Sequence, residues 1–168
     1  AFEAHPYILK FLQANMTRNG ASPMLAENLA VGEASKSTRI AYNAENPGQT
    51  RIAIGAEVAE PVAMVTLDDY CQRKRIRAVD YLKIDVEGYE INVLRGARDI
   101  IARSPEILIQ TEYERAHRAV YVHAGELPEL LQGWGFRPHC LAPDGTPAAL
   151  DGLDDFSGEI VWSRSPLA

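Results

Sequence analysis

The sequence predicts an α/β domain built on a mostly parallel sheet, with helices on both faces and an antiparallel pair at one edge. Three observations carry this. Short apolar runs alternate with amphipathic stretches along most of the 168 residues, the order that strand–helix–strand units produce. The last two strand candidates follow one another with no helix between them, which sets an antiparallel pair. No internal repeat, low-complexity tract or linker divides the chain, so a single domain over 1–168 is expected.

Taken in order, Ala1 to Glu3 reads as the tail of a strand. Pro6 to Asn19 reads as a helix: Pro6 suits the first helical position, and Gly20 is a good stop. Ile8, Phe11, Leu12, Asn15 and Met16 share one face at helical spacing. Met24 to Val31 is a short apolar run expected as a buried strand. Lys36 to Gly55 reads as a hairpin-like excursion, with Thr38, Ile40 and Tyr42 alternating and Asn46-Pro47-Gly48 as its turn. Val62 to Leu67 is the next strand, and Asp68 is expected to cap a short helix to Lys74. Tyr81 to Val86 is a compact apolar strand. Glu90 to Ala102 is expected as one amphipathic helix, with Ile91, Leu94, Ala97 and Ile101 as its stripe. Glu106 to Thr111 is a strand, and Glu126 to Gln132 is a helix stopped at Gly133. Phe136 to Leu141 and Glu159 to Ser163 are the final strands, parted by the turn-rich Pro143-Asp144-Gly145-Thr146-Pro147. Trp134 and Trp162 occupy apolar positions and read as core.

Composition excludes several classes. The net charge is −6, so bulk electrostatics does not favour nucleic acid. The basic run Arg73-Lys74-Arg75 with Arg77 reads as a solvated connector. No apolar run approaches the roughly 20 residues that cross a bilayer, and no signal peptide is expected at Ala1-Phe2-Glu3. The two cysteines, Cys71 and Cys140, have no metal spacing, and a reduced, cytoplasmic chain is expected. Composition does not fix the oligomeric state.

In sheets of this kind ligands bind beyond the carboxyl ends of the strands. That rule singles out Glu3, Asp85 and Glu112. A carboxylate at Glu3 can accept two hydrogen bonds from a ribose diol; equally, it can serve the start of the following helix. Asp85, Glu87 and Glu90 crowd one strand-to-helix junction. Glu90 fits the first turn of a helix, and Glu87 fits that role or reaches a ligand. Asp85 ends a buried apolar strand and needs solvent, a ligand, or an ion pair with Lys83 or Arg95. The chain lacks Gly-x-x-x-x-Gly-Lys-Ser/Thr, which removes the P-loop reading, and Gly-x-Gly-x-x-Gly is absent too; a nicotinamide-dependent dehydrogenase is weakened because no hydride-transfer residues suggest themselves. His5, His117, His123 and His139 show no ligand spacing; His117 and His123 flank the loop after Glu112 and read as surface residues.

The stretch Val79-Asp80-Tyr81-Leu82-Lys83-Ile84-Asp85-Val86-Glu87-Gly88-Tyr89-Glu90, with Val93-Leu94-Arg95-Gly96-Ala97, resembles the FkbM-type methyltransferase family. Ser104-Pro105-Glu106-Ile107-Leu108-Ile109 with Glu112 extends the match, as do Ala1-Phe2-Glu3, Asn28-Leu29-Ala30-Val31-Gly32 and Val65-Thr66-Leu67-Asp68-Asp69. The resemblance implies a class I methyltransferase (Rossmann-like) fold whose last strand alone is antiparallel. It implies S-adenosylmethionine as cofactor and O-methylation of a hydroxyl on a sugar, polyketide or similar small molecule. By position, Glu3 would hold the ribose hydroxyls, and Ala30 and Val31 would lie near the adenine. Asp85 would face both the methyl donor and the acceptor, as the first choice of general base, with Glu87 and Glu112 behind it. Two of these acids would alternatively hold a divalent ion, although no metal ligand set is assigned. Lys36 to Gly55, with Tyr42, Asn43, Asn46 and Gln49, is expected as an acceptor-facing lid.

The chain departs from the family in one respect. The family's first strand and its glycine-bearing loop would precede Ala1, and the absent strand would lie between those ending at Glu3 and Asp85. The domain is therefore expected to be N-terminally incomplete. The rival expectation is a cofactor-free, methyltransferase-like scaffold or interaction domain.

Overall fold

The computed structural model describes residues 1–43, 45–46, 50–53, 55, 58–114, 126–153 and 156–167. The expected turn at Pro47-Gly48, Gln49, and both His117 and His123 lie outside the described residues. A parallel bridge between Phe2 and Glu27 opens the chain. Helix α1 (Pro6–Arg18) follows, then β1 (Ala30–Val31), β2 (Lys36–Ala41), β3 (Arg51–Ile52), β4 (Glu60–Val65) and α2 (Leu67–Lys74). After these come β5 (Tyr81–Ile84), α3 (Glu90–Arg95), α4 (Arg98–Ala102), β6 (Leu108–Tyr113) and α5 (Leu127–Gly133). The strands β7 (Arg137–Leu141), β8 (Pro147–Ala149) and β9 (Gly158–Ser163) complete the order.

The fold is α/β, but the expected single, mostly parallel sheet is replaced by two mixed sheets. Their orders are β1-β4-β2-β3 and β5-β6-β9-β7-β8. Among the described strands, only β1 with β4 and β5 with β6 pair in parallel. The reason lies in the excursion. β2 and β3 form the expected antiparallel hairpin, but β2 also pairs antiparallel with β4 from Lys36↔Met64 to Ile40↔Glu60. The excursion is thus part of a sheet rather than an appendage. At the other end β9 inserts antiparallel between β6 and β7, so the last strand is antiparallel as expected, but it lies inside the sheet rather than at its edge, and β2, β3 and β8 pair antiparallel as well.

The larger core joins β5, β6 and β9 to α2, α3, α4 and α5, through residues such as Leu94, Ile101, Ile109, Leu131 and Trp162. Trp162 is fully buried and donates its indole N–H to Thr111 Oγ1 at 2.9 Å, while Trp134 is half-buried. A smaller core of Ala30, Ile40, Val62 and Met64 lies in the first sheet, with Tyr89 packed against it. A cleft of about 480 Å³ is bounded by Ala1 and Phe2 on one side and by Tyr81 to Ile84 of β5 on the other.

Four local expectations are corrected. The run Met24 to Val31 is strand only at Ala30–Val31, and Met24 and Leu25 are exposed. Asn28 Nδ2 donates to the carbonyls of Glu3 and Ala4, so a side-chain amide occupies acceptors that a strand ladder would use. Helix α1 forms with Pro6 at its start, yet none of its residues is buried. Ile8, Leu12 and Met16 are half-buried on one line, while Tyr7 and Phe11 are 50% and 55% exposed.

Thr66, not Asp68, caps α2, accepting the Asp69 N–H at 3.0 Å. Finally, the helix expected over Glu90 to Ala102 is broken into α3 and α4 at Gly96-Ala97. The carbonyl of Gly96 accepts the Asp68 N–H, and the Asp68 carboxylate accepts the N–H groups of Asp99 and Ile100 at 3.0 and 2.8 Å. Asp68 therefore caps α4, from another element. Asp68→Ala is expected to destabilise the fold by about 1–2 kcal/mol, read as a lower urea midpoint at unchanged slope. A Thr66→Ala change of similar size would act on α2 alone.

Candidate functional site

Parallel pairing sets the carboxyl ends of β5 and β6 side by side. The register Ile84↔Thr111 brings Asp85 level with Glu112 at one edge of the sheet. The loop leaving β5 then adds Glu87. Carboxylate oxygens of Asp85, Glu87 and Glu112 all lie within 4.8 Å of one another. That spacing would admit a divalent cation, although acids gathered this way do not by themselves define a metal site.

The loop after β5 also forms one wall of a cavity of about 380 Å³, within the range of small-molecule sites. Asp85, Val86, Glu87 and Tyr89 line that wall; Glu3, Ala30 and Val31 line the other side. Five of the residues expected at the site thus share one cavity, while Glu112 lies close to Asp85 and Glu87 without lining it. The hairpin contributes Ile40, Thr50, Arg51 and Ile52. Of the polar residues expected there as a lid, Tyr42 packs elsewhere, stacked on His5 with ring centres 4.4 Å apart. Asn43 turns inward on its own loop, accepting the N–H of Glu45 and of Asn46.

Glu3 sits where the chain passes from the Phe2 bridge into α1. Its backbone N–H donates to the Glu27 carbonyl, and Asn28 holds its own carbonyl. Its Oε1 accepts the His5 N–H at 2.7 Å, so the helix-start role is real. The same residue lines the cavity, so the helix-start contact does not remove it from there. Burial pushes the Glu3 carboxyl above 4.5, against the opposing pull of the His5 N–H.

Asp85 is exposed and pairs with Lys83 at 3.1 Å; Lys83 also reaches Glu159 at 3.3 Å. Arg95 is engaged elsewhere, by Glu126 at 3.0 Å. The Asp85 carboxylate beside it holds Lys83 above its usual range despite partial burial. Glu90, read from the sequence as an ordinary first-turn acid, is instead buried. Its Oε1 accepts the N–H groups of Val86 and Gly88.

Sequence reasoning set the excursion beside the acceptor but did not single out Tyr89, Arg51 or Ile52. Tyr89 had a signal, an aromatic inside a loop of acids and glycine. Arg51 and Ile52 had none beyond weak alternation; they reach the cavity through β3, which pairs with β2, itself paired with β4.

Residues 1–138 match the family described as the methyltransferase FkbM domain. No curated protein matches the sequence. Among solved structures, the chain is similar to the methyltransferase FkbM of Methylobacillus flagellatus KT, with a TM-score of 0.54 and 16% identity. The likeness covers 96% of this chain and 35% of that one, so the chain spans about a third of its neighbour's length. At that identity the neighbour shows the shared fold, and the family rests on the match over 1–138. No described helix is long and apolar enough to cross a membrane. The chain belongs to the FkbM methyltransferase domain family.

Proposed function

We propose that this domain is an S-adenosylmethionine-dependent O-methyltransferase acting on a hydroxyl of a sugar, polyketide or similar small molecule, in the cytoplasm. The single observation that carries the reading is the cavity that joins Glu3, Ala30 and Val31 on one side to Asp85 and Glu87 on the other. Its residues fit the cofactor. Ala30, Val31, Ile40 and Ile52 offer an apolar slot for a flat base, and Glu3 offers a carboxylate to a ribose diol. When bound, S-adenosylmethionine supplies a methyl group on a sulfonium, open to in-line displacement.

The chain's own residues do the rest. Asp85 takes the proton of the acceptor hydroxyl as that oxygen becomes nucleophilic, a general-base role worth about 10²–10⁴-fold. Glu87 orients the acceptor by a second hydrogen bond. Lys83 holds the Asp85 carboxylate in one direction. Glu112 brings a third carboxyl group within 4.8 Å of those of Asp85 and Glu87. No step requires a metal ion.

Glu3→Ala is expected to weaken S-adenosylhomocysteine binding by about 10–100-fold, the value of one or two hydrogen bonds to a charged acceptor. The pH sense follows from the raised carboxyl. Its protonated form is favoured in the fold, so the stability that protonation adds is full below 4.5 and is lost as pH rises through the folded value. Cofactor binding runs the other way, weakening as pH falls from neutrality through that same value, and Glu3→Gln abolishes the dependence. Affinity unchanged in Glu3→Ala would leave Glu3 with its His5 bond alone.

The activity itself is tested by transfer of an isotopically labelled methyl from S-adenosylmethionine to a panel of simple methyl glycosides and hydroxylated polyketide lactones. Label appearing as a methyl ether supports the proposal. Label transferred to none, with no cofactor bound, favours the scaffold.

A further inference from the structure

We infer that Glu90 is a positioning residue for this site, acting through the backbone that presents Asp85 and Glu87. The inference rests on the methyl-transfer reading above. A carboxylate at the first position of a helix ordinarily sits in water beside the helix N-terminus. Glu90 is 4% exposed. One of its oxygens, Oε1, accepts the Val86 N–H at 3.2 Å and the Gly88 N–H at 3.1 Å. A single atom therefore grips the chain on both sides of Glu87.

That grip acts on a backbone with little intrinsic preference for its shape. Glu87 has φ 53° and Gly88 has φ 94°. The first is uncommon for a residue with a Cβ and persists only where its surroundings hold it. The loop's own closing bond, Tyr89 N–H to the Val86 carbonyl, is long at 3.4 Å. The buried carboxyl group supplies what that bond lacks, and breaking it would strand a buried acceptor and two donors. Asp85, Val86, Glu87 and Tyr89 line the cavity while Glu90 lies behind them, off its wall. Glu90 thus sets where the acids point without touching a ligand.

Shape and acceptor capacity, rather than charge, are what the loop needs. Gln keeps one carbonyl oxygen at the same reach; Asp is one methylene too short. The test compares Glu90→Gln and Glu90→Asp in the full chain, with Glu90→Ala as the harsher change. Amide exchange is followed at Val86 and Gly88 by NMR, S-adenosylhomocysteine affinity by calorimetry, and turnover on the best acceptor of the panel above. Glu90→Asp is expected to expose the Val86 and Gly88 amides to exchange while those of β6 and β9 stay protected. Its kcat is expected to fall about 10–100-fold, the effect of a small misplacement of reacting groups, with KM for S-adenosylmethionine within about threefold. Glu90→Gln is expected to restore both readouts. Unchanged exchange at Val86 and Gly88, or unchanged kcat in Glu90→Asp, overturns the inference. So does a loss of protection spread evenly over the chain, which marks a purely structural role. Wild-type protein that transfers no methyl refutes the methyl-transfer reading, and with it the catalytic half of this inference; exchange then decides the loop contact by itself.

Discussion

Asp85→Asn is expected to lower methyl transfer by about 10²–10⁴-fold while S-adenosylhomocysteine affinity stays within a few fold. Asn keeps the volume and the hydrogen-bonding reach of the side chain but cannot take a proton at neutral pH. The exposed ion pair with Lys83 offers a competing account, in which Asp85 only anchors a strand end. The two accounts separate cleanly. An exposed pair contributes little to stability, so under the anchoring account Asp85→Asn and Lys83→Met have matching, small effects on every readout. Under the general-base account Asp85→Asn removes turnover, and Lys83→Met lowers it by less, because Asp85 remains to accept the proton. Single-turnover kinetics with saturating labelled cofactor distinguishes them without interference from product release. Turnover retained in Asp85→Asn would remove this residue from the mechanism.

Gly96→Ala is expected to destabilise the fold by about 3 kcal/mol, the upper end of the usual overpacking cost. A Cβ built at Gly96 would lie 2.0 Å from the Gly32 carbonyl oxygen, 2.9 Å from the Gly32 carbonyl carbon and 3.2 Å from Glu33 Cα. All three are backbone atoms, so no rotamer change relieves the contact. Gly32 directly follows β1, whose Ala30 and Val31 form the apolar wall of the cavity. Displacing that backbone also disturbs the neighbouring cavity wall, and cofactor affinity is expected to fall with stability. Gly133→Ala is the matched control. Nothing lies within 4 Å of a Cβ there, and removing a helical glycine is expected to leave stability unchanged or to raise it by up to about 1 kcal/mol. Equal midpoints in urea for the two variants would contradict the contact.

The same contact explains where the sequence was readable and where it was not. Periodicity reports which face of an element is apolar, and it located β5, β6, α2 and α5 within about two residues. It is blind to partners distant in the chain. The stripe Ile91, Leu94, Ala97 and Ile101 is continuous, so nothing local announces that Gly96 must fit against Gly32, or that Asp68 will cap a second helix start at Asp99 and Ile100. Sheet membership fails for a related reason. Pairing of β4 with both β1 and β2 is decided by register over long separations, whereas alternation in each strand reads alike for either sheet.

That the acids Asp85, Glu87 and Glu112 lie together was legible because one topological rule needs only strand order. Residues at the carboxyl ends of two neighbouring parallel strands must converge: Asp85 just past β5 and Glu112, the penultimate residue of β6, do. Glu87 came with them on the loop. What the rule leaves out is how the loop is held. Glu90 looked like any first-turn carboxylate, and its burial against Val86 and Gly88 depends on the unusual φ of Glu87, which no pattern in the sequence signals.

The central claim is that the cavity between Glu3 and Asp85 receives S-adenosylmethionine. Calorimetric titration with S-adenosylhomocysteine tests it most directly. Because the chain spans 35% of its structural neighbour, the titration is run on this chain and on a version extended ahead of Ala1. One-to-one binding in either form, weakened by Glu3→Ala in that same form, is the expected result. No measurable heat in both forms, with folding intact, would contradict it.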